Sequence, residues 1–266
     1  MTRLQAAREA LAGAFRPRLL WVIQVAANLG VFGLFVAWLL IPVARTWQLA
    51  LNAMFAIAIV VAAVAVHAGT MNYFSDARRI ENPKLPDSFW RGMRHILAIG
   101  VCAVAFYLLW SMIDKAGAYQ SQLPAYIRSI LPVLIRRHVS VAFLESTFER
   151  VIFVAHWIAV PGLVLPFLAR TCDLGFRGFG KAGFSAWREA MFSASYWIVL
   201  TGAALVGVLV SQKIMNWRPD FRTSTYSQES LSLAIRLPLA CFLALSAWML
   251  TCSLLGRLNG GQRDTG

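Results

Sequence analysis

Negative charge is scarce in this sequence. Twelve Asp and Glu stand against 25 Lys and Arg in 266 residues, and charged residues of both signs make up only 14% of the chain. A soluble domain of this length needs far more polar surface, so a soluble globular protein is excluded. Cysteine is also rare. Cys102, Cys172, Cys241 and Cys252 show neither a CxxC pair nor a Cys/His zinc spacing, so neither a disulfide framework nor a metal site is expected. HExxH, GxSxG and paired intramembrane aspartates are missing, which argues against an enzyme and leaves no cofactor to expect. The glycine-rich stretch Gly175–Gly183 has only the superficial spacing of a phosphate-binding loop. No strand precedes it and no Lys-Ser/Thr pair follows its glycines, so it reads as a flexible basic loop.

Apolar residues, by contrast, make up 59% of the chain. Several runs reach the roughly 20 residues a helix needs to cross about 30 Å of hydrocarbon. The expected fold is an all-α membrane protein with six transmembrane helices, at about 19–41, 48–68, 95–113, 151–169, 193–210 and 230–255. An amphipathic N-terminal segment, 1–18, carries Leu4, Ala7, Leu11 and Phe15 at helical spacing and should lie on the cytoplasmic surface. The membrane domain is 19–256, and the polar tail 257–266 is expected to be disordered.

Within span one, Ala26, Gly30, Gly33 and Ala37 form a stripe of small residues suited to close helix approach. Gln24 and Asn28 project from nearly the opposite side and should hydrogen-bond to a neighbouring helix. Ala58, Ala62, Ala65 and Gly69 in span two, and Ala203 with Gly207 in span five, form similar stripes. Pro161 and Pro166 should bend span four and free carbonyls that another group must satisfy. Residues 123–138 are apolar on one face and basic on the other, with Pro132 between. They read as an amphipathic helix at the outer interface, or alternatively as a re-entrant segment.

Ser88-Phe89-Trp90-Arg91 recurs as Ser185-Ala186-Trp187-Arg188, an offset of 97 residues that also superimposes Asp76 on Asp173 and Lys84 on Lys181. This is the signature of a degenerate, parallel internal repeat, with 116–138 as a worn counterpart of span one. Both copies lie in basic segments between apolar runs. Ser88 and Ser185 are expected to cap short interfacial helices, Trp90 and Trp187 to sit in the headgroup layer, and Arg91 and Arg188 to meet anionic lipid. Asp87 is a candidate N-cap for the first of these helices.

If the N-terminus is cytoplasmic, fifteen Lys and Arg fall in segments on the cytoplasmic side and nine in segments on the outer side, with Arg236 within the sixth span. That bias places both termini in the cytoplasm of a bacterial-type plasma (inner) membrane. It also accounts for the net charge of +13 without nucleic acid as a partner. One further cluster is expected, an outward-facing polar group made of Glu145, Glu149, His156 and Arg236. The expected partners are anionic membrane lipid, a membrane protein or a second copy of the chain. The function that fits best is a non-enzymatic membrane module binding lipid or a partner protein, with a small-solute transporter as the alternative.

Overall fold

The computed structural model describes residues 3–42, 45–120, 122–217 and 226–260. These residues are overwhelmingly helical, and no strand occurs among them. Helix α1 spans Arg3–Phe15, α2 Arg18–Leu39, α3 Thr46–Asp76, α4 Leu85–Arg94 and α5 Ile96–Gly117. Two short helices follow, α6 Gln122–Ile130 and α7 Val133–Arg136. Then come α8 Val141–Val154, a π-helical segment Ala155–Ala159, α9 Val160–Leu174 and a 3₁₀ turn Gly175–Phe179. The chain continues through α10 Lys181–Phe192, α11 Ala194–Ala204, a second π segment Leu205–Val210, α12 Ser211–Asn216 and α13 Tyr226–Gly260. Six of these stretches are long and apolar enough to cross a membrane: Arg18–Leu39, Thr46–Asp76, Ile96–Gly117, Val141–Phe179, Ala194–Asn216 and Gln228–Arg257. The six expected spans are therefore present, several of them longer than expected.

The packed core reaches the middle of the bundle through Ile158, Val199, Leu200 and Ala204. It gathers most at one end, where Ala68 to Asn72 and Phe74 to Asp76 of α3 are buried with Ala169 to Asp173 of α9 and Met249, Cys252, Leu254 and Leu255 of α13. We call this the terminal end, because α1 and the end of α13 also lie there. Towards the other, distal end the spans expose many apolar side chains, such as Leu39, Leu40, Trp47 and Met112, as a lipid solvent permits.

Polar residues, more than small ones, join the first two spans. Gln24 is fully buried and donates to the Thr70 hydroxyl and to the Val66 carbonyl, while Asn28 donates to the Gln24 side-chain oxygen at 3.0 Å. Gly30 and Gly33 of the small-residue stripe face open space, because α3 meets the Gln24 side of α2. Close approach occurs elsewhere: a Cβ at Gly69 would meet the Phe89 ring at 2.6 Å, and one at Gly207 would meet Ala247 Cβ at 2.6 Å.

The proline-bent span behaves as its sequence demands. Pro166 has no N–H for the Gly162 carbonyl, and Tyr196 Oη donates to that carbonyl at 2.8 Å. Pro161 likewise removes the α-helical partner of residue 157, which lies in the first π segment. Ser140 caps α8, accepting from Phe143 N at 3.1 Å, so this span extends backwards through Glu149 and Glu145.

Four expectations are corrected. Helix α1 does not simply rest on a surface: Ala14 is fully buried, Gly13 sits against Ser253, and Glu9 pairs with Arg257 at 3.1 Å, docking α1 on α13. The sixth helix runs on to Gly260, past the expected end of the span at 255 and into the tail expected to be disordered, with 261–266 outside the described residues. Asp87 does not cap α4, which starts two residues earlier, with Lys84 at its N-cap and Pro86 in the first turn. Finally, the glycine-rich loop is a tight turn. Gly175 has φ +63°, and a Cβ at Gly178 would fall 2.8 Å from the backbone of Arg170 and Thr171. These glycines let the turn fold flat onto the end of α9.

Residues 122–136 form two short helices broken at Pro132, with Tyr126, Ile130, Val133 and Leu134 exposed and Arg136 donating to the Ser129 and Leu131 carbonyls.

Candidate functional site

The two aspartates related by the 97-residue offset meet at the terminal end. Asp76 closes α3 and Asp173 lies near the end of α9, and both are buried. Helix α4 turns back beneath them and supplies the donors. Ser88 Oγ donates to Asp76 Oδ2 at 2.7 Å, and Arg91 grips the same carboxylate at 2.8 and 3.1 Å. Arg91 Nη1 also reaches Asp173 Oδ1 at 3.3 Å, and Arg79 Nη1 reaches Asp173 Oδ2 at 3.1 Å. Arginine suits this position because its planar fork can serve two carboxylate oxygens together. Burial disfavours the charge on Arg91, but Asp76 and Asp173 outweigh it and raise its pKa above the usual guanidinium value.

This geometry corrects part of the interfacial-anchor expectation. Ser88 is fully buried and Arg91 is committed to two carboxylates, so neither caps a helix nor faces lipid headgroups. Trp90 remains 67% exposed on the outer face of α4, as an anchor requires. Ser185 lies inside α10, whose N-cap is Gly180, so it does not cap that helix either. Trp187 is half-buried and stacks on Phe184 at 5.6 Å between ring centres, while Arg188 is exposed. Lys84 and Lys181 are both exposed.

Sequence reasoning missed two members of the cluster. Arg79, just past the end of α3, is in sequence only one more basic residue of a charged connection. Asn72 donates to the Ser88 carbonyl at 3.3 Å and to the Cys172 carbonyl at 3.1 Å, tying α3, α4 and α9 together. Its signal was available: an amide one turn before Asp76, at the end of an apolar run, needs a partner.

The expected cluster of Glu145, Glu149, His156 and Arg236 is not brought together. His156 lies on the first π segment, stacks on Trp110 at 4.5 Å and has Nε2 3.3 Å from the Trp110 carbonyl. Glu149 accepts from Gln120 at 2.5 Å. Glu145 is half-buried on α8. Arg236 belongs to α13, where it donates to the Met215 carbonyl at 3.0 Å, to that of Trp217 and to Ser232 O at 3.2 Å. A guanidinium capping the last carbonyls of α12 is favourable at a helix C-terminus.

The opposite side of the α3 end opens into a cavity of about 870 Å³ between α1, α3, the 77–83 connection and α13. Tyr73, Phe74, Ala77 and Arg78 face this cavity, whereas Asn72, Asp76 and Arg79 face the aspartate cluster. Arg16, Arg78 and Arg257 line it with Glu9 and Glu81. Arg257 is paired with Glu9, yet Arg78 stands close enough to repel it.

Six membrane-length helices, a helical bundle packed at one end and a buried ion cluster define a multi-pass membrane protein. No protein-family model, curated protein or solved structure matches the chain.

Proposed function

We propose that this protein is a non-enzymatic membrane module that binds anionic lipid, with the cavity at its terminal end as the binding site. One observation carries the reading: among the described residues, three arginines, two of them mutually repelling, line an 870 Å³ cavity with two glutamates to balance them. A phosphate-bearing headgroup supplies the missing negative charge. The exposed apolar side chains of Leu11 and Phe15 on α1, and of Trp90 on α4, would rest in the adjoining interface. Positive-inside charge bias supports a cytoplasmic terminal end, and a plasma-membrane location follows from the same reading.

An ancestral duplication fits the same picture. Shifted by 97 residues, α4 (Leu85–Arg94) falls within α10 (Lys181–Phe192), and Ile96–Gly117 overlies Ala194–Asn216. Under this reading the aspartate cluster is the seam between the two copies.

Native mass spectrometry from mild detergent tests the proposal, with phosphatidylglycerol and phosphatidylcholine offered in turn. Replacing the exposed Arg16 and Arg78 by Gln removes two charges worth about 1 kcal/mol each near such a surface. That should weaken phosphatidylglycerol adducts by roughly thirtyfold and leave phosphatidylcholine unchanged. Equal adducts from both lipids would refute it. Solute flux in liposomes, lost on replacing Arg236 or His156, would favour the transporter reading instead.

A further inference from the structure

A second concavity lies within the membrane-spanning part of the bundle, away from the arginine-lined cavity. It is a groove of about 590 Å³ between α5, α9, α11, α12 and α13. Along one wall it runs from Leu200 to Asn216, which at 1.5 Å per residue is roughly 24 Å, most of the thickness of a hydrocarbon core. Trp248 and Thr251 lie at one end of the groove, and Gln212 and Asn216 at the distal end. Its volume and mostly apolar lining match those of small-molecule sites.

The second observation is independent of shape. Two π-helical segments occur among the described residues, and both border this groove, one through Trp157 and the other through Gly207 and Val208. A π turn is rare, and it is frequently found at functional sites. Proline accounts for the first, since Pro161 withdraws an N–H; no proline accounts for the second.

Charge then selects the occupant. None of the described residues lining the groove is charged. Arg236, beside the distal end, is already engaged by the carbonyls of Ser232, Met215 and Trp217, so a charged group drawn in among the apolar lining would have no counter-charge within the groove, a cost that packing does not offset. Hydrogen-bonding side chains are available at the distal end in Gln212 and Asn216, whereas the buried Ser211 hydroxyl already donates to the Ala240 carbonyl at 3.2 Å. Trp110 and Trp157, meeting edge to face at 4.8 Å, flank the same region.

We propose that the groove binds an uncharged long-chain lipid of the diacylglycerol type. Its hydroxyl and ester oxygens meet Gln212 and Asn216, and its chain runs inward past Gly207 towards Trp248. The protein then has two lipid sites of different chemistry, an anionic-headgroup cavity at one end and a neutral-lipid groove within the bundle.

Photo-crosslinking of the full chain in liposomes tests this, using a diazirine-bearing diacylglycerol and a diazirine-bearing phosphatidylglycerol. The diacylglycerol probe should label peptides covering 203–216 and 244–251, and unlabelled diacylglycerol should compete. Ala244→Phe fills the groove from an exposed alanine, so it should lower that labelling at least tenfold while the melting temperature stays within a few degrees. The Arg16→Gln, Arg78→Gln protein should label as the unsubstituted chain does, which separates this site from the arginine-lined cavity. Labelling that resists competition, survives Ala244→Phe or is equally strong with the anionic probe overturns the proposal.

Discussion

Both terminal nitrogens of Arg91 lie on the carboxylate of Asp76, at 2.8 and 3.1 Å, and one of them continues to Asp173 at 3.3 Å. A single side chain thus balances two buried acids that come from spans nearly a hundred residues apart. Removing it affects the two unequally. Asp173 keeps Arg79, but Asp76 is left with the Ser88 hydroxyl as its remaining donor in the cluster. Losing one partner of a buried pair costs about 3–5 kcal/mol, and the 30% exposure of Arg91 points to the low end of that range. Arg91→Ala should therefore destabilise by about 3 kcal/mol, and Ser88→Ala by about 1 kcal/mol. Arg91→Lys should recover only part of the loss, since an ammonium cannot make the two-toothed contact. Thermal unfolding in mild detergent reads all three. Equal melting temperatures for Arg91→Ala and Ser88→Ala would remove the cluster from the account of stability.

Tyr196 and Pro166 act on one atom, the Gly162 carbonyl. Tyr196→Phe leaves that buried oxygen without its donor and should cost about 1–3 kcal/mol. In a Pro166→Ala background the backbone N–H of residue 166 returns to bond Gly162, so the same Tyr196→Phe change should cost less. A double-mutant cycle on detergent unfolding should show a coupling of at least about 0.5 kcal/mol. Strict additivity would mean that Tyr196 is held by packing alone.

Glycines in this chain divide into two kinds, and substitution tells them apart. Gly30 lies in α2 with nothing near the position of a Cβ, so Gly30→Ala gains helix propensity without a clash. It should stabilise by about 0.5–1 kcal/mol. At Gly178 a Cβ would meet backbone at 2.8 Å, and backbone cannot swing aside as a side chain can. Gly178→Ala should lower the melting temperature clearly and loosen the turn beside Asp173. Proteolysis within 175–180 provides the local measurement.

The features readable beforehand were those set by local chemistry. Hydropathy placed six spans because helix length across a bilayer is a property of one run at a time. The amides of Gln24 and Asn28 announced a partner because lipid offers them none, and Pro166 announced a freed carbonyl. What required the structure was the choice among partners. Polarity and depth group Glu145, Glu149, His156 and Arg236, yet α13 packs beside α12, so Arg236 finds the last carbonyls of that helix before any acid. The same applies to Arg91, which reads as an interfacial cation until α4 folds beneath Asp76. Gly30 and Gly33 have the spacing of a packing stripe, but spacing does not say which face the neighbour takes. The offset of 97 did mark Asp76 and Asp173; it could not reveal that both would be held by arginines from the first segment.

Orientation can be tested by cysteine labelling, but not at the fully buried Ser88, where a cysteine would be hidden from reagent. Trp90 is the better reporter, being 67% exposed on the same helix, and Trp217, 62% exposed, reports the distal end. In intact spheroplasts, an impermeant maleimide should modify a cysteine at 217 and spare one at 90. Permeabilising the membrane should expose position 90 to the reagent. Neither change touches the aspartate cluster, so the fold should survive both and the result can be read directly. Position 90 modified from outside, with 217 protected, would invert the bundle. The arginine-lined cavity would then face away from the cytoplasm, and the charge bias of the connecting segments would need another cause than the positive-inside rule.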